Sequence, residues 1–164
     1  MDAGIMKVGL EEIYDILPHR YPFLFIDNII NLVPGKRASG LKGITSNEDI
    51  LLLSPSLIIE AMAQVAGITL SYNTTNLFPP NPSLISPLVR SDRGGLEGED
   101  YIGYLIEVKD FSFLEEIHIG DRLFLDIELT QKFGNLFRFT GKARAGDRII
   151  AKGELSIAIV SSTG

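Results

Sequence analysis

Residues 54–73 read SPSLIIEAMAQVAGITLSYN, and the fold turns on what that stretch becomes. Ser54 can cap a helix, Pro55 suits its first position, and no helix breaker follows until Gly67. The helix is apolar on nearly every face, so it must be enclosed rather than laid on a surface. The rest of the chain supplies the enclosure. Tyr101–Phe111, Arg122–Phe133, Leu136–Ala145 and Arg148–Val160 are strand-like runs separated by HIGD, KFGN and RAGD, short turn signals suited to hairpins. Two further strands are expected at Phe23–Val33 and Arg37–Thr45, joined by the turn VPGK. Before them, Leu10, Ile13, Tyr14 and Leu17 recur at helical spacing within Val8–Leu17, which Pro18 ends. These elements predict an α+β fold in which a curved antiparallel sheet of about six strands wraps one central buried helix.

Composition narrows the function. A chain of 164 residues with 45 % hydrophobic and 22 % charged residues is expected to fold as a single domain over residues 1–164. Its net charge of −6 argues against nucleic acid as a partner. The absence of cysteine removes disulfides, thiolate metal sites and thiol nucleophiles. No leader pattern and no run of 18 apolar residues is apparent, so the expected location is cytoplasmic, without a membrane span. Residues 74–100, rich in proline and glycine, read as a long irregular connection, a kind of segment that is usually functional or mobile.

Two residues stand out chemically. Glu60 interrupts LIIEAMAQVAGI, and a carboxylate inside an enclosed helix is costly unless paired, protonated or used. Gln64, one turn on, shares its face and could hold the carboxyl. Burial implies an acid of raised pKa, able to give a proton to a leaving group; a structural glutamate satisfied by local hydrogen bonds is the plainer alternative. His19, one of two histidines, sits between Pro18 and Pro22. Both prolines restrict the backbone around it, as a positioned general base requires.

LPHRYPFLFID at 17–27 and IIEAMAQVAG at 58–67 resemble the signature of the FabZ-type (3R)-hydroxyacyl-acyl-carrier-protein dehydratases, and YIGYLIEVKDFSF with the C-terminal hairpins extends the similarity along nearly the whole chain. The resemblance implies a hot-dog fold and a lyase that removes water from a 3-hydroxyacyl thioester to give a trans-2-enoyl thioester, in fatty-acid or specialised acyl-chain synthesis. It implies no cofactor and no metal. His19 would take the α-proton and Glu60 would assist loss of the β-hydroxyl, the histidine of one protomer meeting the glutamate of its partner in a homodimer. Hexamers built from three such dimers are an open further assembly. Tyr21, Phe23, Pro55, Ser56, Leu57 and Gln64 would contact a substrate carried on acyl carrier protein or coenzyme A.

The chain also departs from that pattern. NEDILLLSPSLIIE lacks the family's glycine-rich His-Phe-Pro-Gly segment, and Pro55 has no N–H, so an oxyanion donor is expected from the Ser56 or Leu57 amide. Glu115 and Glu116 stand where the family has arginines, which moves the expected carrier contact to Arg138, Lys142 and Arg144, one face of a strand, unless that face is simply solvated. His118 is expected at the surface. A hot-dog thioesterase and a non-catalytic acyl-binding or partner subunit remain the alternatives.

Overall fold

The computed structural model describes residues 5–46, 54–72 and 101–161. The 74–100 connection and residues 47–53, where the family's His-Phe-Pro-Gly segment would fall, lie outside them.

The elements run β1 (Met6–Val8), α1 (Leu10–Ile16), β2 (Asn28–Leu32), β3 (Arg37–Gly43), α2 (Pro55–Ser71), β4 (Tyr101–Phe113), β5 (Arg122–Phe133), β6 (Leu136–Ala145) and β7 (Arg148–Ser161). They form one seven-stranded sheet in the order β1-β2-β3-β5-β6-β7-β4, with every neighbouring pair antiparallel. This is the expected hot-dog arrangement with one strand added. The extra strand is β1, which takes Val8 from the predicted first helix and shortens that helix to Leu10–Ile16.

α2 is the enclosed element. Eleven of its residues are buried, among them Met62, Val65, Ala66 and Ile68. Gly67 does not break it, because tertiary burial outweighs the roughly 1 kcal/mol helix penalty of a glycine. Two glycines of the sheet let the helix lie close. A methyl group placed on Gly40 of β3 would stand 2.5 Å from Val65 Cγ2, and one on Gly141 of β6 would stand 2.8 Å from Met62 Sδ.

The strand expected at Phe23–Val33 begins only at Asn28. The residues before it cross the helix instead of joining the ladder. The backbone N–H of Phe25 donates to the Gln64 side chain at 3.0 Å, and Phe23 O accepts from Gln64 Nε2 at 2.9 Å. Strand pairing resumes where the Asp27 amide donates to Leu41 O.

Candidate active site

The corner that carries His19 is assembled from both sides. α1 ends at Ile16, and Leu17 follows as its C-terminal cap, fully buried, with its amide bonded to Ile13 O. After His19 a tight turn is closed by the Phe23 amide donating to Arg20 O at 2.7 Å, and the Tyr21–Pro22 peptide is cis. Phe25 and Ile26 then bury their side chains in the core.

This path brings His19 down onto α2. Its Nε2 lies 3.5 Å from Oε1 of Glu60 in the same chain. Within one chain the two groups already approach each other, whereas the resemblance implied the histidine of one protomer meeting the glutamate of its partner. Gln64 makes the junction rigid. Its Nε2 donates to Glu60 Oε1 at 3.2 Å as well as to Phe23 O, while its Oε1 accepts the Phe25 amide. A single buried amide thus ties the carboxylate to the loop that carries the imidazole. Gln64, expected to contact substrate, has both ends of its amide bonded within the chain.

The electrostatics run against the raised pKa expected of Glu60. The hydrogen bond to His19 holds the Glu60 carboxyl below the usual carboxylate range; burial opposes this, and the Gln64 bond and the His19 charge reinforce it. Burial alone would have raised it, but two donors on the charged form win. Glu60 rests as a carboxylate, not as a proton reservoir. Nδ1 of His19 is buried and has no hydrogen-bond partner among the described residues.

The remaining expected residues are placed unevenly. Tyr21 and Phe23 are exposed beside the corner, at 80 % and 65 %. Pro55 and Ser56 are exposed at the start of α2, and Leu57 is half-buried. Ser54 occupies the cap position without a side-chain cap bond; its Oγ lies 3.0 Å from Ser56 Oγ instead. The Leu57 amide donates to Ser54 O at 3.0 Å, so of the two predicted oxyanion donors Ser56 is the one left. A cavity of about 570 Å³ opens between Pro55, Ile58 and the Phe113–Ile117 segment, away from His19 and Glu60.

The basic strand face proposed for carrier contact is largely neutralised. Arg144 bonds Asp126 at 2.6 Å, and Arg138 reaches Glu107 at 3.3 Å and Gln131 at 3.2 Å. His118 is exposed, as expected, in a turn held by Asp121 and Arg148. Arg20 carries no expectation from the sequence, yet its guanidinium bonds three backbone carbonyls around His19. The signal available was its place directly after a proline-terminated helix.

No protein-family model matches the chain. Curated relatives do. The chain is 33 % identical over 158 residues to the 3-hydroxyacyl-[acyl-carrier-protein] dehydratase FabZ of Syntrophotalea carbinolica, covering 92 % of this chain and 93 % of that protein. It is 31 % identical over 161 residues to FabZ of Clostridioides difficile, covering 93 % and 98 %. Among solved structures it is similar to the dehydratase heterocomplex ApeI:P of Xenorhabdus doucetiae, with a TM-score of 0.65, 16 % identity and 92 % of each chain covered; that likeness supports the fold. With the His19 corner lying against Glu60 of a helix enclosed by a hot-dog sheet, and with relatives matched nearly end to end, the chain belongs to the FabZ family of 3-hydroxyacyl-[acyl-carrier-protein] dehydratases.

Proposed function

We propose that the protein removes water from a 3-hydroxyacyl thioester, giving the 2-enoyl thioester, with His19 and Glu60 as its acid–base pair. The observation that carries this is the 3.5 Å approach of His19 Nε2 to Glu60 Oε1 in a member of a dehydratase family. Because Glu60 is held ionised, the roles implied by resemblance are exchanged. The Glu60 carboxylate takes the α-proton as the α-carbon–hydrogen bond breaks and the double bond forms. His19 gives a proton to the β-hydroxyl, which leaves as water, and takes up in exchange the proton that Glu60 removed. Each positioned proton transfer is worth about 10²–10⁴ in rate. Charge developing on the thioester oxygen falls to the first turn of α2, where the Ser56 amide and the helix dipole act together.

In this reading the substrate arrives on acyl carrier protein or coenzyme A, and the chain works in the cytoplasm as a homodimer. β4 supports the dimer. It is a strand of 13 residues that among the described residues pairs only with β7, and it exposes Tyr104, Leu105, Ile106 and Val108 in near succession. Such an edge invites pairing with a second copy.

One observation favours a second reading. Leu57 has spent its amide, Pro55 has none, and the chain has no second histidine near Glu60, since His118 lies exposed in the turn before β5. A subunit completed by another hot-dog chain would have these features.

The test is an assay of the purified protein with 3-hydroxyacyl thioesters of an acidic carrier protein and of coenzyme A, following enoyl product and free thiol. Enoyl product that falls at least about 100-fold in Glu60→Gln supports the proposal. Free thiol without enoyl product makes the protein a thioesterase. No product alone, but enoyl product with a second hot-dog chain added, supports the subunit reading.

A further inference from the structure

Strand register sorts the charges on the back of the sheet. In β5, β6 and β7 alternate side chains point away from α2, since a side chain on Gly141 would point at Met62 of that helix. Two rows of outward side chains therefore run side by side across the strands. Asp126, Lys142 and Lys152 are successive register partners and form one row. Glu128, Thr140 and Glu154 form the other. Ile127, Gly141 and Gly153 lie between the rows at the floor of a trough of about 780 Å³, and both rows wall it.

The two arginines of β6 on this face are spent. Arg144 bonds Asp126 at 2.6 Å, and Arg138 reaches Glu107 at 3.3 Å. Four charges in the trough are not: among the described residues, the side chains of Lys142, Lys152, Glu128 and Glu154 make no ion pair and no hydrogen bond. They are also separated by sign. The two lysines stand directly opposite each other on one wall, an arrangement that costs stability. The two glutamates share the other wall, one on each side of Thr140. Side chains two residues apart on a strand are about 7 Å apart, and neighbouring strands about 4.8 Å. The trough thus presents a positive and a negative pole about 7 Å apart, and its volume is in the range of small-molecule sites.

We propose that this trough binds a zwitterion, a small molecule whose ammonium and carboxylate groups lie about 5–8 Å apart. Its carboxylate lies between Lys142 and Lys152, and its ammonium beside Thr140, between Glu128 and Glu154. An anion alone meets the glutamates as well as the lysines, and a cation alone meets the lysines as well as the glutamates. Each is attracted by one wall and repelled by the other. A ligand carrying both signs is attracted by both. The trough lies on the face turned away from α2 and Glu60, so the inference goes beyond the proposed reaction and its test needs no turnover.

Linear ω-amino acids, from glycine to the eight-carbon member, are the probes, titrated at low ionic strength because salt screens exposed charges. The backbone amide NMR signals of Ile127, Gly141 and Gly153, at the trough floor, report binding. The five- or six-carbon member should bind at least about 5-fold more tightly than pentanoate, pentylamine or glycine, from the charge pairs gained at the second pole. Lys142→Gln with Lys152→Gln should abolish its advantage over pentylamine, and Glu128→Gln with Glu154→Gln its advantage over pentanoate. Equal affinity for the zwitterion and the singly charged probes overturns the proposal. So do signal changes confined to other regions, binding by none of the series, or an advantage that survives both double variants. The first comparison uses the unaltered protein, so a variant that fails to fold leaves the proposal decided by that comparison.

Discussion

Replacing Gln64 by leucine tests the junction that unites the corner and the helix. The side chain is 1 % exposed and makes three hydrogen bonds: to the Phe25 amide, to Phe23 O and to Glu60 Oε1. Their losses are unequal. Phe25 is buried, so its N–H loses a partner that water cannot replace, at about 1–3 kcal/mol. Phe23 is exposed and the Glu60 side chain is 39 % exposed, so water can take over at both, and each loss should stay near 1 kcal/mol or below. Leucine restores most of the buried volume, and its better helix propensity returns a few tenths of a kcal/mol. The net is about 2–4 kcal/mol. For a chain of this size each kcal/mol is worth about 2–4 °C, so a loss near 3 kcal/mol lowers Tm by about 6–12 °C. Urea denaturation with an unchanged slope measures the energy, and the turnover assay measures the effect on the site. With the clamp gone, residues 23–25 loosen and His19 loses its aim, so kcat should fall together with stability. A Gln64→Leu protein within 1 kcal/mol of the parent and fully active would refute the idea that this amide positions the pair.

Three further outcomes follow from the packing and the charges. Gly40→Ala should cost about 1–3 kcal/mol by overpacking, because the added methyl meets the short, stiff side chain of Val65, whereas Gly141→Ala should cost less because it meets the sulfur of a flexible methionine; equal losses in urea denaturation would contradict this. Burial, with help from Glu12, pushes the Tyr72 hydroxyl up to about 12 from 10.0. Since the folded form binds that proton more tightly, stability should fall as pH rises from about 10 to about 12, and Tyr72→Phe should remove that part of the fall. Glu60 has the opposite sign: its folded-state value lies below 4.5, so its contribution is present above pH 4.5 and is lost as pH falls through the folded value. The stability difference between the parent and Glu60→Gln should therefore shrink on acidification; a difference that grew would contradict the assignment.

Much of the fold could be read from residue patterns, and the exceptions have physical causes. The runs at Arg122–Phe133 and Leu136–Ala145 end where the strands end, because glycine-containing turns at Gly134 and Gly146 adopt positive φ and fix the register of each hairpin. α2 announced itself by being apolar all round. β1 did not: three residues carry too little pattern, and that strand exists through its pairing with β2. Phe23–Asp27 has strand composition but Phe23 and Phe25 hydrogen-bond the side chain of Gln64, 41 and 39 residues away in sequence, a long-range contact that periodicity does not encode. For the same reason the identity of the Glu60 partner was clear while its protonation was not. Composition shows that the carboxyl is surrounded by apolar residues, but the sign of its shift is set by two donors, one of which arrives from the corner at His19.

The most direct test of the proposed site is complementation between two inactive chains. His19→Ala and Glu60→Gln chains, co-expressed with different tags and purified through both, give mixed dimers. With the pair contained in one chain, each half of a mixed dimer lacks one member, and activity should stay at the level of the two separate variants. A site shared across the two-fold axis would instead leave one of two sites intact and restore about half of the parent activity, a result that would contradict the 3.5 Å intrachain pair of His19 and Glu60 as the catalytic unit.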